Sequence, residues 1–593
     1  MAIEIDRPLR LTALTVRGIG PYYLGGRLEI APLTILCGAN GSGKSTWIKV
    51  LDLLRLSAER DSLEYPFPCH IKAPEQRTLE EFGSSEADLR HLVSEDSDIA
   101  YGPPGTIGVE CVVDRPFCLQ DINPAMRDTR PWTNRWKQGS KLRFRLTYPE
   151  ICPGASRSIE LSVDDAVVYR RVYAPSPRSE ARNEIWWNIL FFAGSDEPVE
   201  PHALVHLWHP PDEDGVYSDT PDLTAWVEQG IGSETLENVR QSLSDSQDWF
   251  FNFVQALIRE VLAGVFCLGA VRNMLQGRDA WTATGKSRDE EDHVRRRDVG
   301  VDGSMTYPVF EEFNACAMVQ GFPPFDGVVD SPMDFSHCED AMAAFRTSMG
   351  LDEEAPIEPY NFITFVRFWM KHLLDINLAY QAYQELRVDG FDGEVFRESW
   401  LREDTKPSGY LLGPPLPIPL SGPDPRLICE HPCVKVGRLS QMSAGALQIL
   451  PIIVQSGVMR KNEVLCLENP EAHLHPSLQT KLCEFLISQA RCGKVLLIET
   501  HSDLFVYRVL RAILEEAIPQ AAVRIHFTHL ETRPAPCNGD APASSTVTFS
   551  KVEQIQIDDR GRVANWPTGF LDEDMQEFGR LMNAMPPDED EEE

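Results

Sequence analysis

Apolar runs that end in polar turns recur along the chain. Residues 10–17 and 27–37 alternate or run apolar, which predicts strands leading into a glycine-rich turn. Residues 45–56 then carry apolar side chains at helical spacing, so a helix is predicted directly after the turn. A strand, a glycine-rich loop and a helix in this order form half of a nucleotide-binding α/β unit.

The middle of the chain shows two different patterns. Residues 106–173 alternate between apolar and polar side chains, as antiparallel strands do. From 174 to 430 the pattern predicts mainly helices, of which 362–386 (FITFVRFWMKHLLDINLAYQAYQEL) is the clearest. Residues 403–426 are so rich in proline and glycine that they predict a loop or linker.

Helices and strands alternate after the linker. The pattern predicts strands at 463–467 and 494–499, and helices at 447–459, 476–491 and 503–516. Alternation at this spacing is typical of parallel βαβ units in an α/β fold.

Length and charge limit the classes of protein that this chain can be. A chain of 593 residues is too long for a single hydrophobic core, so we expect two or three domains. Its 56 Lys and Arg against 90 Asp and Glu give a net charge of −34, so the average surface repels phosphate backbones and anionic lipid. This excludes a protein coated with nucleic-acid contacts but leaves room for one basic groove.

Targeting signals are not evident in the sequence. The first residues lack a basic region followed by an apolar stretch, and no window approaches the ~18 apolar residues of a membrane span. Cys37 and Cys466 lie inside apolar runs, as the buried thiols of a reducing compartment do. We therefore expect a cytoplasmic protein without membrane contact.

Two clusters in the middle of the chain are weaker candidates for chemistry. Cys429, His431 and Cys433 have donors for zinc, but a second ligand pair is missing. The arginines of RDEEDHVRRRD, at 295–297, can face phosphates, yet such a mixed run is more often an exposed, self-neutralising helix. We expect the exposed helix.

The strongest chemical motif is the glycine-rich turn. Residues Gly38–Ser45 read GANGSGKS and match the pattern G-x-x-x-x-G-K-[ST] between a strand and a helix. The glycines let backbone N–H groups turn inward around a β-phosphate, and the helix N-terminus adds positive potential. Lys44 can reach the β- and γ-phosphates, while Ser45 can ligate Mg²⁺. The motif predicts ATP binding by Asn40, Gly41, Ser42, Gly43, Lys44, Ser45 and Thr46.

An acidic residue at the end of a neighbouring strand completes such a site. Residues 464–467 form an apolar run, and Glu468 emerges at its carboxyl end, where ligands bind in open α/β sheets. Glu468 is therefore the expected Mg²⁺ ligand together with Ser45, and Glu471 lies just beyond it. The alternative is that Glu468 caps the helix that starts near Pro476.

Two further polar turns are candidates for the site. Residues 495–498 form an apolar run that ends shortly before His501, next to the strand of Glu468 in the expected sheet. Ser443 and Gly445 precede a predicted helix, whose first N–H groups can bind an anion. Taken alone, such a histidine is more often structural, and such a serine is an ordinary helix cap.

Together these motifs carry a family resemblance. The phosphate loop, the Ser443–Gly445 signature, ENPEAHLHP (468–476) and ETHSD (499–503), in this order, resemble the ABC-type ATPases of the SMC and OLD group. Many of these are described as AAA family ATPases and are linked to anti-phage defence. The chain is most similar to a subgroup with ENPEAHLHP in its acidic strand and a short C-terminal domain, here 555–582. Motifs of that subgroup are also resembled by CLGAVRNMLQGR (267–278) and VGVDGSMTYPVF (299–310).

The resemblance implies a head-to-head homodimer, or a higher oligomer built from it. ATP on the phosphate loop of one subunit would be closed over by Ser443 and Gly445 of the other, and His501 would sense the γ-phosphate. Many relatives carry a catalytic glutamate where this chain has Asn469, whose amide cannot accept a proton from water. Either Glu471 takes that role, or hydrolysis is slow and ATP mainly holds the dimer closed.

The resemblance also implies the fold. We expect an α/β, ABC-type ATPase head, with a mixed or parallel sheet and an antiparallel β subdomain, interrupted by a large, mainly helical insertion. Its predicted parts are the N-terminal head segment with the phosphate loop (1–173), the insertion and linker (174–430), the C-terminal head segment (431–530) and a small C-terminal domain with an acidic tail (531–593).

The favoured hypothesis is an ATP-driven switch in anti-phage defence or DNA maintenance. It would control a protein effector, such as a nuclease encoded nearby, or DNA or RNA in a local groove. A self-contained OLD-type nuclease is less favoured, because the stretch after His501 is too short for a further nuclease domain. The motor of a membrane transporter is disfavoured by the large insertion. An ATP-binding module with little hydrolysis stays open because of Asn469.

Overall fold

The computed structural model describes a defined part of the chain. The described residues are 7–22, 24–59, 105–117, 138–148, 157–175, 184–191, 203–206, 256–272, 297–303, 305–306, 309, 362–380, 383–385, 397–399, 427–431, 434–438, 443–534, 546–558 and 560–564. The predicted linker at 403–426, Arg295, Arg296 and Cys433 lie outside them.

The elements follow one another in this order. The strands are β1 Leu9–Arg17, β2 Gly26–Glu29, β3 Leu33–Gly38, β4 Gly105–Val113, β5 Lys141–Tyr148, β6 Arg157–Val163, β7 Ala166–Pro175, β8 Glu184–Phe191, β9 Ala203–His206, β10 Val265–Leu268, β11 Asn377–Tyr380, β12 Tyr383–Glu385, β13 Arg397–Ser399, β14 Leu427–His431, β15 Val434–Arg438, β16 Val464–Glu468, β17 Val495–Glu499, β18 Val523–Pro534 and β19 Thr546–Gln554. The helices are α1 Lys44–Glu59, α2 Phe362–Leu374, α3 Ala444–Val458, α4 Pro476–Arg491 and α5 Asp503–Leu514, and residues 256–262 are also helical.

The chain forms two compact units. The N-terminal unit comprises Arg7–Val265 and returns with Arg524–Gln556, and the central unit comprises Phe266–Val523 with Ile557–Val563. The predicted division at 173, 430 and 530 stays a prediction.

The N-terminal unit is built on an antiparallel sheet. Its strand order is β2-β1-β4-β5-β6-β7-β8-β9. Along β5 the buried residues alternate with more exposed ones, which is the period-two pattern read from the sequence. The same unit holds β3, β18 and β19 as neighbours in that order, with β18 and β19 antiparallel. Trp47, Tyr22 and Phe144 are among its largest fully buried side chains.

The central unit contains the parallel pair predicted from the C-terminal half. Strands β10, β16 and β17 are neighbours in that order, and β16 and β17 run parallel, with Glu468 opposite Glu499. Both are apolar almost throughout because both of their faces are buried. Helix α4 packs through Phe485 against Trp369 of α2, with the rings 4.7 Å apart and edge to face. The mixed α/β class expected from the sequence is confirmed.

Three predictions of secondary structure need correction. The predicted strand at 27–37 is two strands, β2 and β3, because residues 30–32 leave the extended pairing. The helical interpretation is wrong for β8 and β9, which continue the antiparallel sheet beyond residue 173. The helix predicted over 362–386 ends at Leu374, since Asp375 adopts a left-handed φ of 56° and β11 follows. For the rest of 174–430, most of which is not described, the helical interpretation stays a prediction.

Arg297 is also placed differently from the expectation. It is 6% exposed, donates to the Val458 carbonyl oxygen at 3.1 Å and forms an ion pair with the buried Glu463. Its guanidinium lies 5.6 Å from the ring centre of Phe266. Arg297 is therefore a core residue of the central unit, and the prediction of an exposed helix is wrong at this position.

Among the described residues, no helix combines the length and the hydropathy needed to cross a bilayer. In the same part of the chain, no group of His, Cys, Asp and Glu has the arrangement of a metal centre. Cys37 and Cys466 are buried thiols, as their apolar surroundings in the sequence predict.

Candidate nucleotide site

The glycine-rich loop lies between β3 and α1 in the N-terminal unit. Gly38, Gly41 and Gly43 have φ values of 139°, 74° and 89°, which side-chain-bearing residues rarely adopt. A Cβ at Gly38 would lie 2.1 Å from the Thr528 carbonyl oxygen, and one at Gly43 would lie 2.7 Å from Pro21 Cγ. A Cβ at Gly41 would meet nothing within 4 Å. Two glycines thus hold the loop against its own unit, and the third leaves its outer side open.

Lys44 is held directly on this loop. Its Nζ donates to the carbonyl oxygens of Gly38 at 2.9 Å and Ala39 at 2.8 Å. The residue is only 4% exposed. The positive charge therefore lies at the loop, as a phosphate-binding lysine requires.

The other predicted ATP-binding residues differ in exposure. Asn40 is exposed and Ser45 is half-buried, whereas Ser42 and Thr46 are buried. Ser42 Oγ lies 2.6 Å from Thr528 Oγ1, so this hydroxyl is committed to anchoring the loop. Asn40 and Ser45 therefore keep more solvent exposure than Ser42 and Thr46.

A buried pair of aromatic residues supports the loop from behind. Trp47 Nε1 donates to Tyr22 Oη at 2.8 Å, and Tyr22 Oη donates to the Gly43 carbonyl oxygen at 3.1 Å. Both side chains are fully buried. This chain of hydrogen bonds fixes the carbonyl that precedes Lys44. The sequence pattern did not single out Tyr22, since only its spatial position links it to the loop.

In the central unit, β16 ends in a tight acidic turn. Asn469 adopts a left-handed φ of 43° and its N–H donates to the Glu499 carbonyl oxygen at 2.8 Å. His473 repeats the left-handed conformation at φ 64°, and the turn leads into α4, which begins with Pro476. Glu468 is half-buried at the strand end, where the sequence predicts it.

Glu471 links this turn to the loop of the predicted switch histidine. It is 8% exposed, and its Oε1 accepts from the backbone N–H of His501 at 2.8 Å. The structure thus brings Asn469, Glu471 and His501 together. Asn469 Oδ1 and Glu471 Oε2 are the two buried acceptor atoms that the described residues leave without a hydrogen bond. The His501 residue itself is exposed.

Arg272 lies beneath the same turn, and sequence reasoning missed it. It is 3% exposed, and its guanidinium donates to the Glu468 carbonyl oxygen at 2.9 Å and to Gln448 Oε1 at 3.2 Å. Burial lowers the pKa of this guanidinium to about 10, and the carboxylates of Glu471 and Glu468 oppose the decrease. The available signal was its place in the motif CLGAVRNMLQGR, which fixed no role for it.

The predicted signature residues lie at the start of α3. Ser443 is the N-cap, and its exposed hydroxyl accepts from the Ala446 N–H at a long 3.4 Å. A Cβ at Gly445 would lie 3.2 Å from Leu474 Cδ2 and 3.8 Å from the His473 carbonyl oxygen. Glycine at 445 therefore lets the start of α3 approach the acidic turn closely within one chain.

A comparison with known protein families matches the part of the chain that carries the candidate residues of the central unit. Residues 438–506 match the family described as "AAA domain, putative AbiEii toxin, Type IV TA system". This stretch of the chain is therefore similar to an AAA domain. Ser443, Glu468, Glu471 and His501 all lie within the matched residues, and the family resemblance of the sequence is confirmed. Residues 541–581 match "Protein of unknown function (DUF3696)", as expected for a short C-terminal domain.

The solved structures that are similar to this chain include SMC head domains. One is the SMC head bound to the C-winged helix domain of ScpA (12% identity, 93% of this chain and 98% of that one, TM-score 0.32). Another is the Smc head domain with an extended coiled coil, bound to the C-terminal domain of ScpA, from Pyrococcus furiosus (11% identity, 97% and 100%, TM-score 0.32). A third is the SMC head domain from Thermotoga maritima (8% identity, 92% and 100%, TM-score 0.29). These overall likenesses are weak. No curated protein matches the chain.

Proposed function

We propose that this protein binds and hydrolyses ATP and acts as a nucleotide-gated dimeric switch. The observation that carries the proposal is Lys44, whose ammonium is held on the glycine-rich loop by the Gly38 and Ala39 carbonyl oxygens. A buried cation on a loop with an open outer side suits a polyphosphate. The AAA match over 438–506 supports an NTPase.

In this proposal, residues 40–46 hold the triphosphate. Backbone N–H groups at the start of α1 face the β-phosphate, and Lys44 neutralises charge on the β- and γ-phosphates. The Ser45 hydroxyl and the Glu468 carboxylate would hold Mg²⁺, as the sequence motifs predict, because hard oxygen donors are the ligands that this ion prefers. When bound, Mg²⁺ neutralises the negative charge that develops on the transferred phosphoryl group.

Glu471 is the group that we assign to accept a proton from water. Its Oε1 is held by the His501 N–H, while Oε2 has no hydrogen-bond partner among the described residues and keeps its lone pairs. The Asn469 amide orients the water, because an amide donates and accepts hydrogen bonds but takes no proton at neutral pH. We assign His501 to sensing the γ-phosphate, because this residue is exposed while its backbone N–H is held by Glu471.

The closed state would contain two copies of the chain. Ser443 and Gly445 of one subunit would close over the ATP held by the other, because the exposed N-terminus of α3 offers N–H groups to an anion. Opening and closing would then control a protein effector, such as a nuclease encoded nearby, or DNA or RNA in a local groove. We place this switch in the cytoplasm and in anti-phage defence, and the description of the matched family as a putative AbiEii toxin supports the defence role.

Steady-state ATP turnover tests this proposal. Replacing Lys44 with Ala should lower kcat/KM about 100-fold, the scale typical of losing one charge that stabilises a transition state. Lys49→Ala, on the same helix but outside the loop, is the matched control and should keep turnover. Equal rates for the wild-type protein and Lys44→Ala would contradict the proposed ATPase.

A second candidate function is an ATP-binding module with little hydrolysis. The observation that favours it is the amide of Asn469 at the position next to Glu468. Nucleotide binding that depends on Lys44, without turnover above background, would decide for the module and against the switch enzyme.

A further inference from the structure

Arg272 joins the start of α3 to the end of β16. One guanidinium nitrogen, Nη2, donates to the Glu468 carbonyl oxygen at 2.9 Å, and the other, Nη1, donates to Gln448 Oε1 at 3.2 Å. Gln448 also forms a second hydrogen bond with the same residue: its Nε2 donates to the Arg272 carbonyl oxygen at 3.1 Å. Gln448 is therefore tied to Arg272 by two hydrogen bonds, and Arg272 is tied to the residue assigned to Mg²⁺.

Gln448 lies on the same face of α3 as Gly445. The two residues are three positions apart, so they are neighbours on the helix surface. Gly445 lies against the acidic turn, where a Cβ would come within 3.2 Å of Leu474 Cδ2. One face of α3 thus meets the acidic region twice, directly at Leu474 and through Arg272 at Glu468.

The segment that carries Arg272 also runs beside the Glu468 side chain. A Cβ at Gly269 would lie 4.0 Å from Glu468 Oε2, and the Gly269 N–H donates to the Val301 carbonyl oxygen at 2.8 Å. The loop that follows β10 is therefore held next to the carboxylate, with its backbone fixed by Val301. A shift of this loop displaces Glu468 or its surroundings.

The burial of Arg272 is costly for a purely structural residue. The side chain is 3% exposed, and within the described part of the chain its hydrogen bonds use two of the five guanidinium N–H groups and leave the buried Nε without a partner. Apolar side chains of similar volume commonly fill such positions at no loss of stability. Arg297 is buried as well, so what distinguishes Arg272 is that its partners, Glu468 and Gln448, connect the end of β16 with α3.

We propose that Arg272 is a positioning residue that couples the N-terminal end of α3, with Ser443 and Gly445, to Glu468. The inference rests on the proposed ATPase and deepens it. When a partner's nucleotide engages the start of α3, Gln448 moves with the helix, and Arg272 transmits that movement to the end of β16. Each subunit thereby adjusts its own Mg²⁺ ligand according to the occupancy of its partner's site.

Two variants interrupt this link from opposite sides. Arg272→Lys keeps the charge but replaces the two guanidinium nitrogens, one for each acceptor, with a single ammonium nitrogen, and Gln448→Leu removes one of those acceptors. Each should lower kcat about 10-fold and raise the Mg²⁺ concentration for half-maximal turnover, as loss of a residue that orients a metal ligand does. ATP binding in EDTA should stay within about 2-fold of wild type, because Lys44 is untouched. The kcat of the double variant should be no lower than that of the more impaired single variant, because both substitutions break the same link.

Arg297→Lys is the matched control. Arg297 is an equally buried arginine of the same unit that contacts the opposite end of α3 at Val458, away from Glu468. This variant should keep kcat and the Mg²⁺ requirement even where its melting temperature falls. Wild-type kcat and Mg²⁺ dependence in Arg272→Lys, or losses that multiply in the double variant, would overturn the coupling.

The same measurements separate this inference from the proposed function. If the wild-type protein binds ATP without turnover, the ATPase fails, and the Mg²⁺ dependence of ATP binding then tests Arg272 directly. If Mg²⁺ raises the affinity for ATP in the wild type and in Arg297→Lys but not in Arg272→Lys, the link is supported. If Mg²⁺ raises the affinity in both variants, the link is refuted. If ATP does not bind at all, both proposals fall.

Discussion

His526 is a neutral histidine inside the N-terminal unit. It is 1% exposed, and its Nε2 lies 2.8 Å from the Glu29 carbonyl oxygen, so Nε2 carries the proton and donates. Its Nδ1 is buried without a partner among the described residues. Burial lowers the pKa of His526 to about 4, and the hydrogen bond to Glu29 opposes the decrease only in part. The folded state thus resists protonation of this side chain.

This resistance makes stability depend on pH. The unfolded chain binds a proton at His526 below about pH 6.5 but the folded chain only near pH 4, so stability is lost as the pH falls through this window. Between pH 7 and pH 5 the wild type should lose about 2 kcal/mol more unfolding free energy than His526→Gln, which keeps an N–H donor but does not titrate. Urea unfolding at both pH values measures this difference. Parallel pH dependence in the two proteins would contradict the assignment.

Residue identities were predictable from the sequence only where a local motif fixes them. Lys44 and Glu468 were each predicted from a motif that follows an apolar strand, and the structure places Lys44 at the first residue of α1, after the loop that follows β3, and Glu468 at the end of β16. Arg272 and Arg297 were not predictable in the same way. Their partners lie 196 and 166 residues further along the chain, so their burial depends on tertiary pairing. A local charge pattern made Arg297 look exposed.

At the scale of elements, the loop between β3 and α1 offers a matched pair of glycines. Both Gly38 and Gly41 have positive φ, but a Cβ at Gly38 would lie 2.1 Å from the Thr528 carbonyl oxygen in β18, whereas Gly41 faces open space. Gly38→Ala should therefore push β3 from β18 and cost about 3 kcal/mol or more. Gly41→Ala pays only backbone strain of about 1 kcal/mol.

Thermal unfolding of the two variants checks this comparison. The melting temperature should fall far more for Gly38→Ala, while Gly41→Ala should stay close to wild type. Similar melting temperatures for both would show that β3 and β18 tolerate displacement at the loop. Both sites have positive φ, at 139° and 74°, so alanine is strained at each and the steric contact at Gly38 adds to that strain.

Element boundaries followed from the sequence where the partner strand is near. The strands β16 and β17 and helix α4 were predicted to within one residue, since each apolar run is bounded by its own turn. The helix expected over 362–386 was too long, because β11 is defined by antiparallel pairing with β14, about 50 residues later. A stretch such as NLAY fits either period, and the distant strand decides.

At the scale of the whole molecule, the net charge of −34 acts against association of two copies. The proposed dimer must therefore gain its stability from ATP bridging the loop of one copy and the start of α3 of the other. A local site of N–H groups, one lysine and a metal ion is insensitive to the average charge, whereas the approach of two acidic chains is not. Nucleotide and ionic strength should thus act together on the oligomeric state.

Salt should have opposite effects on the two kinds of complex: it should strengthen a dimer of two acidic chains and weaken a complex with nucleic acid. With ATP and Mg²⁺, Glu471→Gln, which slows turnover in the proposed mechanism, should run at twice the 66.8 kDa chain mass in light scattering. Its dimer fraction should rise as NaCl increases from about 50 to 300 mM, since salt screens the repulsion between like charges. Lys44→Ala should stay monomeric at all of these NaCl concentrations.

Any DNA or RNA binding should weaken over the same range of NaCl, because counterions are released on binding. A dimer that salt dissolves would show that its interface depends on opposite charges, and a monomer under all conditions would contradict the ATP-bridged pair.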